Sequence, residues 1–202
     1  MSLRPSTPLR SARNDLTAVL LAGGQSRRMG TDKATVVFCG KSLWQIQLET
    51  LRKLEPAEVF VSARTDPWWR PDDVQFIADI PPSRGPLSGL AASLSGVGTT
   101  HLLALAIDMP WMTNEYLKFL CTGIRPGRGI VPTIAGHAEP LAAIYPRESA
   151  LEFQDALRGP DFSLQSVIRD LVSSGKLSEQ SVTEADTKLF LNANVASELQ
   201  ST

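Results

Sequence analysis

Two short, almost wholly apolar stretches, "LTAVLL" at Leu16 to Leu21 and "HLLALAI" at His101 to Ile107, most constrain what this chain can fold into. A strand with one wet face alternates polar and apolar residues, so a run without that alternation must be covered on both faces. Segments of helical period lie between them. Ser42 can cap a helix to about Leu54, with Trp44, Leu48 and Leu51 on one face and Glu49 placed to pair with Lys53. Pro86 to Leu94 reads as a helix with proline in its first turn, and Thr113 can cap a helix holding Tyr116, Leu117 and Leu120. Glu58 to Ser62 and Val74 to Ile77 read as further short strands. The alternation predicts an α/β fold: three layers, with a mostly parallel central sheet and helices on both faces.

Past Gly123 the pattern weakens. "GIVPTIAGHAEPLAAIYP" suggests two strands around a turn at Gly136, then helices near Arg147 to Leu157 and Ser163 to Val172, and "KLFLNAN" reads as a late strand. No repeat, low-complexity segment or linker divides the chain, so residues 15–202 read as a single domain. Residues 1–14 carry Arg4, Arg10 and Arg13 with Pro5 and Pro8 and no acid, which reads as a disordered tail rather than a targeting peptide.

Composition removes several function classes. With 20 basic and 21 acidic residues the formal charge is −1, which gives no field to draw the chain onto nucleic acid or a membrane surface. No apolar stretch reaches the roughly 18 residues of a membrane span. Cys39 and Cys121 lie far apart without ligands at metal spacing, as expected of reduced thiols in a cytoplasmic protein. The two histidines, His101 and His137, have no partner suggesting zinc or a nucleophile and base pair.

Chemistry concentrates after the first strand, in "LLAGGQSRRMGTDK", Leu20 to Lys33. Without a Cβ, the glycines let backbone N–H groups come close to an anion, and phosphate is the natural ligand. Gly23, Gly24 and Gly30 supply that backbone, Arg27 or Arg28 a planar fork of donors, and Lys33 a compact charge. Five residues separate Gly24 from Gly30, so the Walker spacing fails, and no G-x-G-x-x-G occurs.

Asp108 is the second anchor. It ends an apolar strand, where open α/β sheets bind ligands, and can either hold Mg²⁺ or cap the turn before Met109 and Pro110. Asp79 also follows a short strand and precedes "IPPSRGPLSGL"; it reads equally as a contact to base or ribose and as a solvated loop acid. Trp68 and Trp69 can stack on a ligand, or cover the edge of the core, which is the commoner use. His137 and Glu139 can touch substrate or simply belong to a loop.

In order along the chain, "LAGGQSRRMGTDK", "GKSLWQ", "GPLSGL", "AIDMP", "EPLAAIY" and "NAN" resemble the molybdenum cofactor guanylyltransferase family, within a larger group of nucleotidyltransferases. The resemblance runs from about Leu16 to Leu199 and implies a Rossmann-like nucleotidyltransferase fold. It implies a reaction in which the terminal phosphate of a molybdopterin cofactor attacks the α-phosphate of GTP, with Mg²⁺ required. By the same resemblance Leu21, Ala22, Gly23 and Gly24 contact the nucleotide. Arg28 lies near its phosphates, Lys33 offsets charge at the reacting phosphoryl group, Asp79 helps bind the guanosine end, and Asp108 holds the metal. Glu139, Pro140, Asn192 and Asn194 would line the pterin side. Two departures stand out: Ser62 occupies a place where the family often has asparagine, and Val195 and Ala196 replace the usual Thr-Pro pair after "NAN".

Expected partners are GTP and the pterin cofactor, with a cofactor-delivery protein or a molybdoenzyme also in view. The nearest rivals are a cytidylyltransferase acting on the same pterin and a sugar-phosphate nucleotidyltransferase. A non-catalytic nucleotide-binding regulator is disfavoured because binding alone requires neither Lys33 nor Asp108. A dinucleotide-dependent oxidoreductase ranks last, for want of its glycine spacing and ribose acid.

Overall fold

The computed structural model describes residues 15–23 and 32–193. The first part comprises β1 (Leu16–Leu21), a small hairpin of β2 (Val37–Phe38) and β3 (Lys41–Ser42), α1 (Leu43–Arg52), β4 (Glu58–Ala63) and β5 (Gln75–Ala78). Then come α2 (Pro86–Gly96), β6 (His101–Ala106), α3 (Asn114–Gly123) and β7 (Gly129–Ile134). The last part has β8 (His137–Ala138), β9 (Ala142–Pro146), α4 (Ala150–Arg158), α5 (Leu164–Ser173) and β10 (Leu177–Ser181).

The main sheet runs β5-β4-β1-β6-β9-β7-β10, with β8 paired to β7. β4 and β6 flank β1 in parallel, β5 is parallel to β4, and β10 is parallel to β7. Within this sheet, among the described strands, only β9 and the short β8 run against their neighbours. The expected mostly parallel sheet is therefore what forms.

Side-chain parity explains the unbroken apolar runs. Leu16, Ala18 and Leu20 of β1 and Leu103 and Leu105 of β6 join one cluster with Leu48 and Leu51 of α1 and Leu117 and Leu120 of α3. Val19 and Leu21 and, from β6, Leu102 and Ala104 enter a second cluster with Leu87, Leu90 and Leu94 of α2, Phe153 of α4 and Ile168 and Leu171 of α5. Helices thus cover both faces, and each leucine so buried contributes about 1.5–3 kcal/mol relative to exposure.

Caps follow the sequence reading. The Gln45 side chain accepts the Ser42 N–H at 3.0 Å, and Thr113 Oγ1 accepts the Tyr116 N–H at 3.3 Å. The turn expected at Gly136 forms, with φ of 78° there and 49° at Ala135. Other expectations are corrected. Glu49 pairs with Lys41 at 2.7 Å rather than with Lys53, because the β2–β3 hairpin brings Lys41 back over α1. That hairpin turns through Cys39 and Gly40, both at positive φ, a pairing that does not announce itself as Asn-Gly does. "KLFLNAN" is not a strand: Glu184–Phe190 is a 3₁₀ helix capped by Thr183, and Leu189 and Phe190 reach the core from it. The edge strand on this side is β10, where only Leu177 is buried and the apolar signal is faint. No helix among the described residues is long and apolar enough to cross a membrane.

Candidate functional site

Strand order creates the site. The chain moves outward from β1 to β4 and β5, then returns past β1 to β6, so connections diverge at the ends of β1 and β6 and leave a crevice. A cleft of about 460 Å³ opens there. The end of β1 lines it with Leu21, Ala22 and Gly23, and the end of β6 with Ala106, Ile107 and Asp108. Asp32 and Lys33 enter from the 3₁₀ turn Lys33–Thr35, Arg64 from the end of β4, Ser83, Gly85 and Pro86 from the approach to α2, and Leu141 from the approach to β9.

The backbone fixes these walls to one another. Ala22 N–H donates to Ser62 O at 2.8 Å, Ile107 N–H to Leu21 O at 3.1 Å, and Ala106 N–H to Leu141 O at 2.8 Å. Gly85, at φ 67°, turns the chain so that α2 begins at the cleft with Pro86 in its first turn. This aims a helix N-terminus at the place an anion would occupy.

At one corner Lys33 Nζ donates to Asp108 Oδ2 at 3.2 Å, with both side chains only partly sheltered. The contact unites residues 75 apart in sequence. Asp108 does not act as the turn cap considered above; its carboxylate faces the cleft. Its loop is held from two sides, since Gln47 Nε2 donates to Met109 O at 2.5 Å and Ala193 N–H to Asp108 O at 2.7 Å. The latter bond ties the C-terminal segment, with exposed Asn192, to this corner.

Asp79 is not a solvated loop acid. It is buried, accepting Ser62 Oγ at 3.2 Å and Ser83 Oγ at 3.1 Å. Gly23 and Gly89 close around it: a Cβ on Gly23 would lie 3.1 Å from Asp79 Oδ2, and one on Gly89 only 2.8 Å from Ser62 Oγ. Neither Ser62 nor Asp79 borders the cleft, and they bear on it through Ala22, Gly23 and Ser83, which do. The small hydroxyl at position 62 suits that tight packing, where a longer amide would meet α2.

Glu139 and Pro140 are half-buried on the segment leading to Leu141. Burial raises the Glu139 carboxyl above its ordinary pKa, against a smaller lowering influence from His137. Tyr145 Oη donates to Pro140 O at 2.6 Å and holds that segment against β9. His101 begins β6, at the edge opposite Asp108, with ring contacts to Thr100 Oγ1 and to the carbonyls of Arg125 and Arg128. Cys121 is also packed away, its thiol pushed up to about 11 by burial.

Two contributors, Asp32 and Arg64, escaped the sequence reading, as did the bond that Trp69 makes. Asp32 and Arg64 line the cleft, and buried Trp69 donates its indole N–H to Asp32 Oδ2 at 2.9 Å. The side chain of Asp32 also caps the turn carrying Lys33, which a Thr-Asp-Lys string after a glycine loop could have suggested. Trp69 stacks on Trp44 and belongs to the core edge, whereas Trp68 is exposed. Gly24, Arg27, Arg28, Gly30, Asn194 and the first fourteen residues lie outside the described residues.

The chain can be compared with known proteins on this footing. Residues 18–176 match the family model of the MobA-like NTP transferase domain. A protein of Opitutus terrae named "Probable molybdenum cofactor guanylyltransferase" is 32% identical over 182 residues, covering 89% of this chain and 90% of its own. The "Molybdenum cofactor guanylyltransferase" of Syntrophotalea carbinolica is 28% identical, over 91% of this chain and 89% of its own. Among solved structures, molybdopterin-guanine dinucleotide biosynthesis protein A from Archaeoglobus fulgidus superposes with a TM-score of 0.72 at 25% identity, over 91% of this chain and 94% of that one. The 4-diphosphocytidyl-2C-methyl-D-erythritol synthase of Anaerococcus prevotii shares the fold at 9% identity, with a TM-score of 0.70 over 94% and 96% of the two chains. With a crevice at the strand reversal, a lysine and a carboxylate meeting across it, and most of its length matched by one family, the chain belongs to the MobA-like NTP transferases and is a nucleotidyltransferase.

Proposed function

We propose that the chain transfers GMP from GTP to the terminal phosphate of a molybdopterin cofactor. An oxygen of that phosphate bonds to the α-phosphorus of GTP, the bond from that phosphorus to the oxygen bridging to the β-phosphate breaks, and pyrophosphate leaves with the electron pair. The product is the molybdopterin guanine dinucleotide. The observation that carries this reading is the 3.2 Å meeting of Lys33 and Asp108 at the reversal cleft of a chain related to guanylyltransferases.

Such chemistry calls for positioning and charge stabilisation rather than a protein nucleophile, because the attacking phosphate is already an anion. Lys33 would lie against the reacting phosphoryl group and offset its negative charge. Mg²⁺ fits the donor set: one carboxylate facing the cleft suffices for an ion that takes its other ligands from substrate phosphates and water. Asp108 would hold it, and when bound it would neutralise phosphate charge. The described residues contain no cluster of three or more His, Cys, Asp or Glu that would suit a self-contained metal cage.

Ala22 and Gly23, with Gly24 beyond the described part, would hold the nucleotide by backbone contacts, and Arg28 would attend its phosphates. Asp79 and Ser62 would shape the guanosine end from beneath. The pterin would lie toward Glu139, Pro140 and Asn192, with Asn194 following. We further propose residues 15–202 as one catalytic domain that receives its pterin from a delivery protein or passes its product to a molybdoenzyme.

The test is pyrophosphate release with Mg²⁺ and the pterin cofactor, comparing GTP, CTP and ATP. Release with GTP is the expected result. Release with CTP alone would move the chain to a cytidylyl reaction, and no release with any of them would overturn the proposed acceptor.

A further inference from the structure

Asp32 poses a problem for a cleft meant to take a triphosphate: it brings a carboxylate to the same wall as Lys33. Both of its oxygens are engaged by N–H donors. Oδ1 accepts the Ala34 N–H at 3.0 Å, closing the turn Lys33–Thr35, and Oδ2 accepts Trp69 Nε1 at 2.9 Å. Thr35 Oγ1 adds a bond to the Asp32 carbonyl at 2.8 Å.

Trp69 is itself fixed. It is 4% exposed and stacks on Trp44 of α1, ring centroids 5.6 Å apart and planes 18° from parallel. Its loop is braced beside it, where Arg70 grips Asp66 with two hydrogen bonds of 2.7 and 2.8 Å and also reaches the carbonyls of Pro71 and Val74. The next-door Trp68, 83% exposed, shows that burial of Trp69 is specific to its position. Lys33 therefore stands on a three-residue turn whose cap is tied through an indole N–H to the packed edge of α1.

We infer that Trp69 and Asp32 are positioning residues for Lys33. Together they fix the lysine's turn at the reacting corner and point the neighbouring carboxylate's oxygens at N–H donors rather than at substrate phosphates. The inference rests on the proposed reaction and deepens it, since it assigns the placement of the transition-state cation to a tryptophan from the β4–β5 loop. Small displacements of a charge-stabilising group cost rate more than binding, because its interaction strengthens in the transition state.

Trp69→Phe keeps the stacked ring and removes only the donor. The expected result is a fall of about tenfold in kcat for GTP-dependent pyrophosphate release, with KM for GTP within about twofold of the parent. Asp32→Asn, which keeps the turn cap but turns an amide N–H₂ toward Trp69, should behave alike. The deciding comparison is in a Lys33→Ala background. A residue acting through Lys33 has nothing left to act on, so adding Trp69→Phe there should change kcat by less than about twofold, whereas a general structural role would repeat its full tenfold cost.

Equal losses in the two backgrounds, or an unchanged kcat in Trp69→Phe and Asp32→Asn beside a wild-type chain that needs Lys33, would overturn the inference and leave the reaction standing. A wild-type chain without turnover, or a Lys33→Ala variant as fast as wild type, would instead overturn the proposed reaction, and the inference with it.

Discussion

Asp79 and Asp108 each follow an apolar strand at the same edge of the sheet, yet one is walled in and the other faces the cleft. β5 lies outside β4, where α2 packs down over its end, and Gly89 admits that helix to within contact of Ser62 and Asp79. β6 lies at the reversal of strand order, and the carboxylate beyond it meets Lys33 instead of serines. The same local string, apolar strand then aspartate, thus yields a buried brace at one place and a catalytic candidate at another. Topology makes the choice.

The largest effects should separate the two acids by what they change. Asp108→Ala and Lys33→Ala should each lower turnover by at least about a hundredfold, the scale of losing one electrostatic contact to a transition state. Their melting temperatures should hardly move, because a partly exposed pair contributes only about 0–1 kcal/mol to stability. Steady-state pyrophosphate release and thermal melts on the same preparations check both halves. Near-normal turnover in either variant would show that the site is elsewhere.

Asp79→Ala should do the reverse. It strips the hydroxyls of Ser62 and Ser83 of their acceptor, a loss of about 1–3 kcal/mol, and at about 2–4 °C per kcal/mol for a chain of this size the melt records it directly. Gly89→Ala should cost a similar amount, since its Cβ would press to 2.8 Å on Ser62 Oγ. A hundredfold loss of kcat in Asp79→Ala without a shift in melting would break the comparison, because Asp79 would then be acting on substrate as directly as Asp108.

These two acids also show how far the sequence could be read. The layers were legible because β1 and β6 are apolar on both faces, a pattern only a doubly covered sheet permits. Asp108 and Lys33 stood out as a strand-end carboxylate and a loop lysine of the types phosphate chemistry calls for, and the fold brings them together at the cleft. Burial of Asp79 was not, since it depends on Gly89 in a helix that approaches from another layer. The Trp69 bond to Asp32 spans 37 residues and leaves no periodic trace, and a single arginine after a strand, as at Arg64, carries no spacing signal. "KLFLNAN" misled for a related reason: Leu189 and Phe190 are apolar because a 3₁₀ turn drives them into the core.

Arg64 offers a finer test of which end of the cleft does what. It lies just past the end of β4, across β1 from Asp108, and has no hydrogen-bond or ion-pair partner among the described residues. A cation there should strengthen binding of the nucleotide without acting at the reacting phosphorus. Arg64→Ala should raise KM for GTP by about tenfold and leave kcat within about twofold, the pattern of an interaction equal in ground and transition states. A fall in kcat as large as that of Lys33→Ala would place Arg64 at the chemistry and remove the distinction between the two ends.

Glu139 is a third acid, intermediate between the other two: half-buried, on the wall proposed for the pterin, with a carboxyl whose pKa burial has raised. The raised value fixes the sign of its effect. Below the unfolded pKa the group is neutral in both states and costs nothing. As pH rises past it the unfolded chain ionises first, so folding is progressively penalised until the folded carboxyl has ionised too. Glu139→Gln removes the titration, and should melt on the order of 1–2 °C above the parent at pH 7, with the gap closing as pH falls toward about 4. Melts of both proteins across that range decide it. A Gln variant less stable at neutral pH would mean that the Glu139 charge has a favourable partner in the folded chain, more like Asp79 with its serines than an acid held by burial alone.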